Sequence, residues 1–240
     1  VCSSDLSITV VTGASSGIGL AVSQALARQG ARMVLTARED EALDEAVREC
    51  HRAGGRAIPV PADISLETGA GLVAERAFAE FGRIDCWINN AAVSLFGRIE
   101  ELPWATFEQV LRTNLFGYVH GVRAVLPHFR SRGHGLLINV ASVVGCVGQP
   151  ETSAYVVGKW GIRGLGECLR MELRDAPDIR CCTLLPAAID TPIFQNAGNY
   201  TGREARAMPP VLRPSSVAAA VVGLYARPRR EKVVGAVGRA

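Results

Sequence analysis

Apolar residues in this chain fall into short unbroken runs separated by longer stretches with helical periodicity. The run Ile8-Thr9-Val10-Val11 does not alternate, so it reads as a strand buried on both faces. Residues 20–29 then repeat apolar positions at helical spacing and stop at Gly30, a helix closed by glycine. The same exchange continues to the end. Strands are predicted over 31–37, 56–62, 85–89, 135–140, 179–185 and 232–237, and helices over 39–53, 66–81, 103–130, 152–174 and 215–226. Strands alternating with helices predict an α/β fold: a doubly wound, mostly parallel seven-stranded sheet with helices on both faces. Neither repeats nor a linker divides the pattern, and residues 1–240 are expected to form a single domain. The segment 192–214, polar and bearing glycine and proline, is expected to be a mobile substrate lid.

Composition narrows the function. With 48% apolar and 20% charged residues, the chain has the balance of a soluble globular protein and the length for a substantial core. A net charge of +3 is too small to argue for nucleic acid or an anionic membrane, and no apolar run reaches a membrane span. The basic run 227–230 reads as a solvated turn. Seven cysteines, an odd number without metal-ligand clustering, imply no metal site. Cys86, Cys181 and Cys182 fall in apolar strands and read as small core residues, and a reduced, cytoplasmic setting is expected. The opening VCSSDL has neither the basic start nor the apolar core of a signal peptide. Residues 1–6 are expected to be non-native, the translated end of a sequencing adapter on a gene fragment.

Two stretches carry chemistry. After the first strand the chain reads TGASSGIG, placing Gly13, Ser15, Ser16, Gly17, Ile18 and Gly19 between a strand and a helix. That order is a dinucleotide-binding fingerprint: glycines permit a tight turn and close approach to a pyrophosphate resting on the helix N-terminus. The second stretch has Ser142 at a strand end, then Tyr155 and Lys159 four apart on one helix face. An ammonium beside a phenol favours the phenolate and lowers a pKa that is near 10 in water, towards the range useful for proton transfer. Ser142 could hold the reacting oxygen against that phenol. By itself the spacing also fits a solvated helix face. The second strand ends in Ala37-Arg38, without the acid that bonds ribose hydroxyls in NAD sites. Arginine can fork onto a 2′-phosphate, which favours NADP over NAD. Glu39 and Asp40 compete nearby, and a snorkelling Arg38 at a helix start is the plainer alternative.

These stretches, with Asn89-Asn90-Ala91-Ala92 after a strand, Asn114 in the next helix and PAAIDT over 186–191, resemble the short-chain dehydrogenase/reductase family in its compact single-domain branch. The resemblance runs roughly from residue 8 to 238. It implies reversible oxidation of an alcohol to a ketone or aldehyde, with hydride passing to or from NADP(H). Tyr155 would be the acid or base. Lys159 would lower its pKa and bind the nicotinamide ribose, Ser142 would orient the substrate oxygen, and Asn114 would complete a proton relay through a water. Asp63 would bond the adenine amino group with Ile64 packed on the ring; capping the helix near residue 66 is the other reading of Asp63. Asn90, Ala91, Pro186, Ile189 and Thr191 would line the cofactor, Ile189 through its backbone. Ala92 and Ala187 stand where the family has glycine, which narrows the freedom of both turns. Val93, Leu95, Ser142, Val144, Ala188 and Phe194 are expected to face a small, hydrophobic carbonyl or alcohol substrate. Relatives imply a homodimer or homotetramer through the helices of Asn114 and Tyr155. An NAD-preferring dehydrogenase and a non-catalytic dinucleotide sensor are the alternatives.

Overall fold

Strand β1 (Ile8–Thr12) shows why the apolar runs do not alternate. Val10 packs with Val34, Trp87, Leu137 and Cys181 on one face of the sheet, against helices carrying Val73, Val125 and Phe129. Its neighbour Val11 packs on the other face with Leu35, Ile88, Ile138 and Leu184, against Val22, Leu26, Leu43 and Val221. Both faces are covered, so both parities must be apolar. The computed structural model describes residues 7–38 and 40–235, so the expectations for residues 1–6, Glu39 and 236–237 lie outside the described residues.

The sheet is wholly parallel, in the order β3-β2-β1-β4-β6-β7-β9. Its strands are β1, β2 (Arg32–Thr36), β3 (Arg56–Pro59), β4 (Cys86–Asn89), β6 (Gly135–Val140), β7 (Ile179–Pro186) and β9 (Glu231–Val234). Helices α1 (Gly17–Ala27), α2 (Asp40–Arg52) and α7 (Pro214–Ala226) lie on one side; α3 (Glu67–Phe81), α5 (Gly117–Arg132) and α6 (Ser153–Glu172) lie on the other. The chain winds outward from β1 to β3, then returns to place β4 beside β1. Ligands bind in the crevice beyond the strand ends at such a reversal.

Three features depart from the sequence reading. The helix expected over 103–130 is interrupted: α4 (Trp104–Leu111) passes through a single π turn (Arg112–Phe116) into α5. Helix α1 begins at Gly17, inside the glycine-rich turn. A short strand β5 (Leu95–Phe96) pairs in parallel with β8 (Gly198–Asn199) from the 192–214 segment, aided by Gly198 N–H donating to Ser94 O at 3.2 Å and Tyr200 N–H to Phe96 O at 2.8 Å. Arg203 forks from the same segment onto Glu151, at 2.9 and 2.8 Å. Among the described residues no helix is long and apolar enough to cross a membrane, and no group of His, Cys, Asp and Glu gathers as a metal site.

Candidate active site

The reversal point is stitched together by side chains at the strand ends. Thr12 Oγ1 accepts from the backbone N–H groups of Asn90 (2.9 Å) and Ala91 (3.1 Å). Asn90 Nδ2 donates back to Thr12 O (2.9 Å) and Gly13 O (3.2 Å). Gly13 takes φ +64°, and a Cβ there would lie 2.7 Å from Ala91 Cα. Only glycine allows the turn to press so closely on β4. Gly19 lies beneath the turn, where a Cβ would meet Gly13 O at 2.0 Å. At the start of α1, Ser16 makes no side-chain cap and the first turn carries no acid. Its first backbone N–H groups are therefore not taken by a side-chain cap, and a helix start of this kind can receive an anion.

A cleft of about 710 Å³ runs from this turn along the carboxyl ends of the strands. Gly13, Ser15, Ser16, Gly17, Ile18, Arg38, Asp63, Ile64, Asn90, Ala91, Pro186, Ile189 and Thr191 all line it. At the β2 end, Thr36 is fully buried and its hydroxyl has no hydrogen-bond partner among the described residues. Asp63 Oδ1 accepts from Ser65 N–H (2.9 Å), whereas α3 is capped at Leu66 with no side-chain bond. The aspartate thus braces the turn before the helix and does not cap it.

At the other end stand Ser142, Tyr155 and Lys159, with Val93, Val144, Ala188 and Phe194 around them. Leu95 is not among them. Side chains alternate along β5, so Leu95 turns inward, fully buried with Val110 and Ala154, and Phe96 faces the cleft in its place. The Phe96 ring lies 6.4 Å from that of Phe194. Phe96 was within reach of that alternation rule. Ser94, Gln149, Thr152, Ile193, Asn196 and Met208 also line this end, and no periodicity in the sequence marks them.

Asn114 sits in the π turn, buried, and both ends of its amide bond to one neighbour. Its Oδ1 accepts from Val93 N–H and its Nδ2 donates to Val93 O, both at 2.8 Å. The side chain ties the π turn to the cleft wall. Ser142 Oγ donates to Pro186 O (3.3 Å), accepts from Val144 N–H (3.4 Å) and is hydrogen-bonded to Tyr155.

The electrostatics run opposite to the expected lowering of the tyrosine by the lysine. Burial pushes Tyr155 up to about 12, with the Ser142 bond opposing the shift. Burial pushes Lys159 down to about 7. Among the described residues the lysine has no carboxylate partner; its Nζ donates to Val140 O (2.8 Å) and, at 3.5 Å, to the Tyr118 hydroxyl. Desolvation penalises the charged form of each group, and two neutral bonds to the amine do not offset it.

The short chain dehydrogenase family model matches residues 7–201. This chain belongs to the short-chain dehydrogenase/reductase family. The chain is 37% identical over 236 residues to the oxidoreductase YxnA of Bacillus subtilis, covering 97% of this chain and 66% of that protein, slightly under two thirds of its length. An alcohol dehydrogenase from Thermococcus sibiricus, complexed with 5-hydroxy-NADP, superposes with a TM-score of 0.85 at 28% identity, covering 98% of this chain and 99% of that one. A family member from Burkholderia phymatum in complex with NAD gives 0.89 at 27% identity, covering 96% and 89%. The seven-stranded parallel architecture is that of these dehydrogenases.

Proposed function

We propose that the protein interconverts a hydrophobic ketone or aldehyde and its alcohol using NADP(H), with Tyr155 moving the proton. One observation carries this reading: Ser142, Tyr155 and Lys159 meet in a single cleft that is continuous with the glycine-rich turn and Arg38. Four features of the turn's end of the cleft fit a dinucleotide. They are the backbone-only contact of Gly13 on Ala91, the uncapped start of α1, the unpartnered Thr36 hydroxyl and exposed Arg38 where an acid would exclude a 2′-phosphate. When bound, the cofactor supplies the hydride chemistry.

The chain's own residues supply the rest. Tyr155 gives a proton to the substrate oxygen in reduction and takes one back in oxidation. Ser142 fixes that oxygen against the phenol, and Lys159 in its charged form favours the phenolate that donation leaves. Asp63, Ile64, Asn90, Ala91, Pro186, Ile189 and Thr191 would hold the dinucleotide along the strand ends. Val93, Phe96, Val144 and Phe194 make the substrate end apolar, which favours a hydrophobic carbonyl over a sugar or charged acid. Segment 192–214 acts as the lid. Half-exposed Phe116, Val157 and Trp160, beside the site's helices, support a homodimer or homotetramer. Buried, protonated thiols at Cys86 and Cys181 accord with a reducing cytoplasm.

The test is consumption of NADPH and NADH across a panel of hydrophobic ketones, aldehydes and diketones. Turnover with NADPH is expected; binding of NADPH with no turnover of any member would defeat the reading in favour of a sensor. Arg38→Asp is expected to move the NADPH-to-NADH ratio of kcat/KM towards NADH by about 10- to 100-fold, the worth of a lost charge-assisted bond. An unchanged ratio would remove Arg38 from the phosphate site.

A further inference from the structure

Tyr118 belongs to none of the motifs, yet its hydroxyl and its ring both lie beside the Lys159 amine. It lies on α5, four residues beyond Asn114, and is fully buried. Its hydroxyl donates to Val140 O at 2.9 Å, the same carbonyl that accepts from Lys159 Nζ at 2.8 Å, and accepts from that Nζ at 3.5 Å. The amine sits 5.4 Å from the Tyr118 ring centroid and 5.4 Å from that of Tyr155, between two phenols. Both distances are within the range in which a ring face attracts a cation.

We propose that Tyr118 is a positioning residue for Lys159: its ring and hydroxyl hold the amine at the floor of the cleft and favour its ammonium form. The inference rests on the reading of Lys159 as the partner of Tyr155. A buried ammonium has three N–H donors and needs acceptors for them. Val140 O takes one, and the Tyr118 hydroxyl is the next polar atom in reach. Burial and the neighbouring Tyr155 hold the Tyr118 phenol protonated, so it stays a neutral acceptor and a neutral ring. Among the described residues no other charge competes for the amine. The titratable groups facing it are Tyr118 from α5 and Tyr155 from α6 itself, and burial is the sole cause of its shift. From the other packed elements, Arg112 of the π turn pairs with Glu108 of α4, and Arg163 of α6 pairs with Glu231 of β9. Cys146, beside the Ser142 turn, is exposed.

The chain makes the test unusually direct. Of its 26 basic residues only Lys159 and Lys232 are lysines, so a protein labelled with ¹³Cε-lysine gives one signal from each. The titration of Lys159 is read directly, with Lys232 as an internal reference in the same sample. Tyr118→Phe, which keeps the ring and the fold, is expected to weaken proton binding by Lys159 about three- to tenfold, as loss of a long bond to a charged group should. Tyr118→Leu removes the ring as well and is expected to weaken it further. Lys232 should titrate as before in both. A Lys159 titration that stays put or moves to higher pH in Tyr118→Phe overturns the proposal. The measurement needs no substrate. Absence of turnover across the carbonyl panel would therefore defeat the functional reading without touching this result.

Discussion

Tyr155→Phe is expected to lower turnover about 10²- to 10⁴-fold, the usual worth of a positioned acid or base, while leaving NADPH affinity within about twofold. The substitution removes one oxygen and keeps the ring that packs beside Lys159 and lines the cleft. In the protein as it stands burial pushes that phenol up to about 12, so the resting group is a proton donor. A donor suits carbonyl reduction. The phenolate needed for alcohol oxidation is scarce at neutral pH and grows about tenfold per pH unit below the midpoint, so oxidation should climb steeply with alkalinity. Steady-state kinetics in both directions, with cofactor binding followed by fluorescence, check the result. A variant that keeps more than a tenth of its turnover would remove Tyr155 from the proton-transfer role.

Lys159→Met is expected to do two opposite things: abolish turnover and stabilise the fold. Unfolded, the lysine keeps its proton up to its ordinary value of 10.5; folded, it gives the proton up near 7. Between those values the unfolded chain binds more protons, so stability rises with pH and the lysine's cost fades. Below pH 7 the cost is fully present. Replacing a buried charge with a packed apolar side chain typically gains about 1–4 kcal/mol. At this size that is a rise in Tm of roughly 2–4 °C per kcal/mol. Val140 O keeps a donor in the variant, because the Tyr118 hydroxyl already bonds it. Melting curves of both proteins should therefore stand furthest apart at pH 6 and draw together towards pH 10. Curves that coincide at every pH would show that the amine is not held against its solvation. Such a stability–activity exchange is what a buried functional charge predicts.

Much of the fold was readable because hydrophobic period and strand order are local or nearly so. All seven strands of the main sheet fall on stretches read as strands, and the glycine-rich turn on residues adjacent in sequence. What escaped were features set by distant contacts. The π turn appears in sequence only as an ill-placed Asn114; its cause is an amide committed to Val93, 21 residues away. Leu95, expected at the cleft wall, is turned inward by the alternation of the strand it begins. The upward push on Tyr155 and the downward push on Lys159 come from burial, on which spacing is silent. Tyr118 gave no signal at all: its role depends on α5 bringing a phenol under a lysine 41 residues away.

The β5–β8 ladder bears on how this scaffold can be re-engineered. Segment 192–214 is anchored through Gly198, Asn199 and Tyr200 to the strand that presents Phe96, and through Arg203 to Glu151 just before the helix of Tyr155. Lid and wall are thus one composite module assembled from three separate parts of the chain. A chimera that imports only another member's lid would land on a strand edge and an acid cut for a different partner. Exchange of specificity between members requires transplanting residues 94–97, Glu151 and the lid as a set.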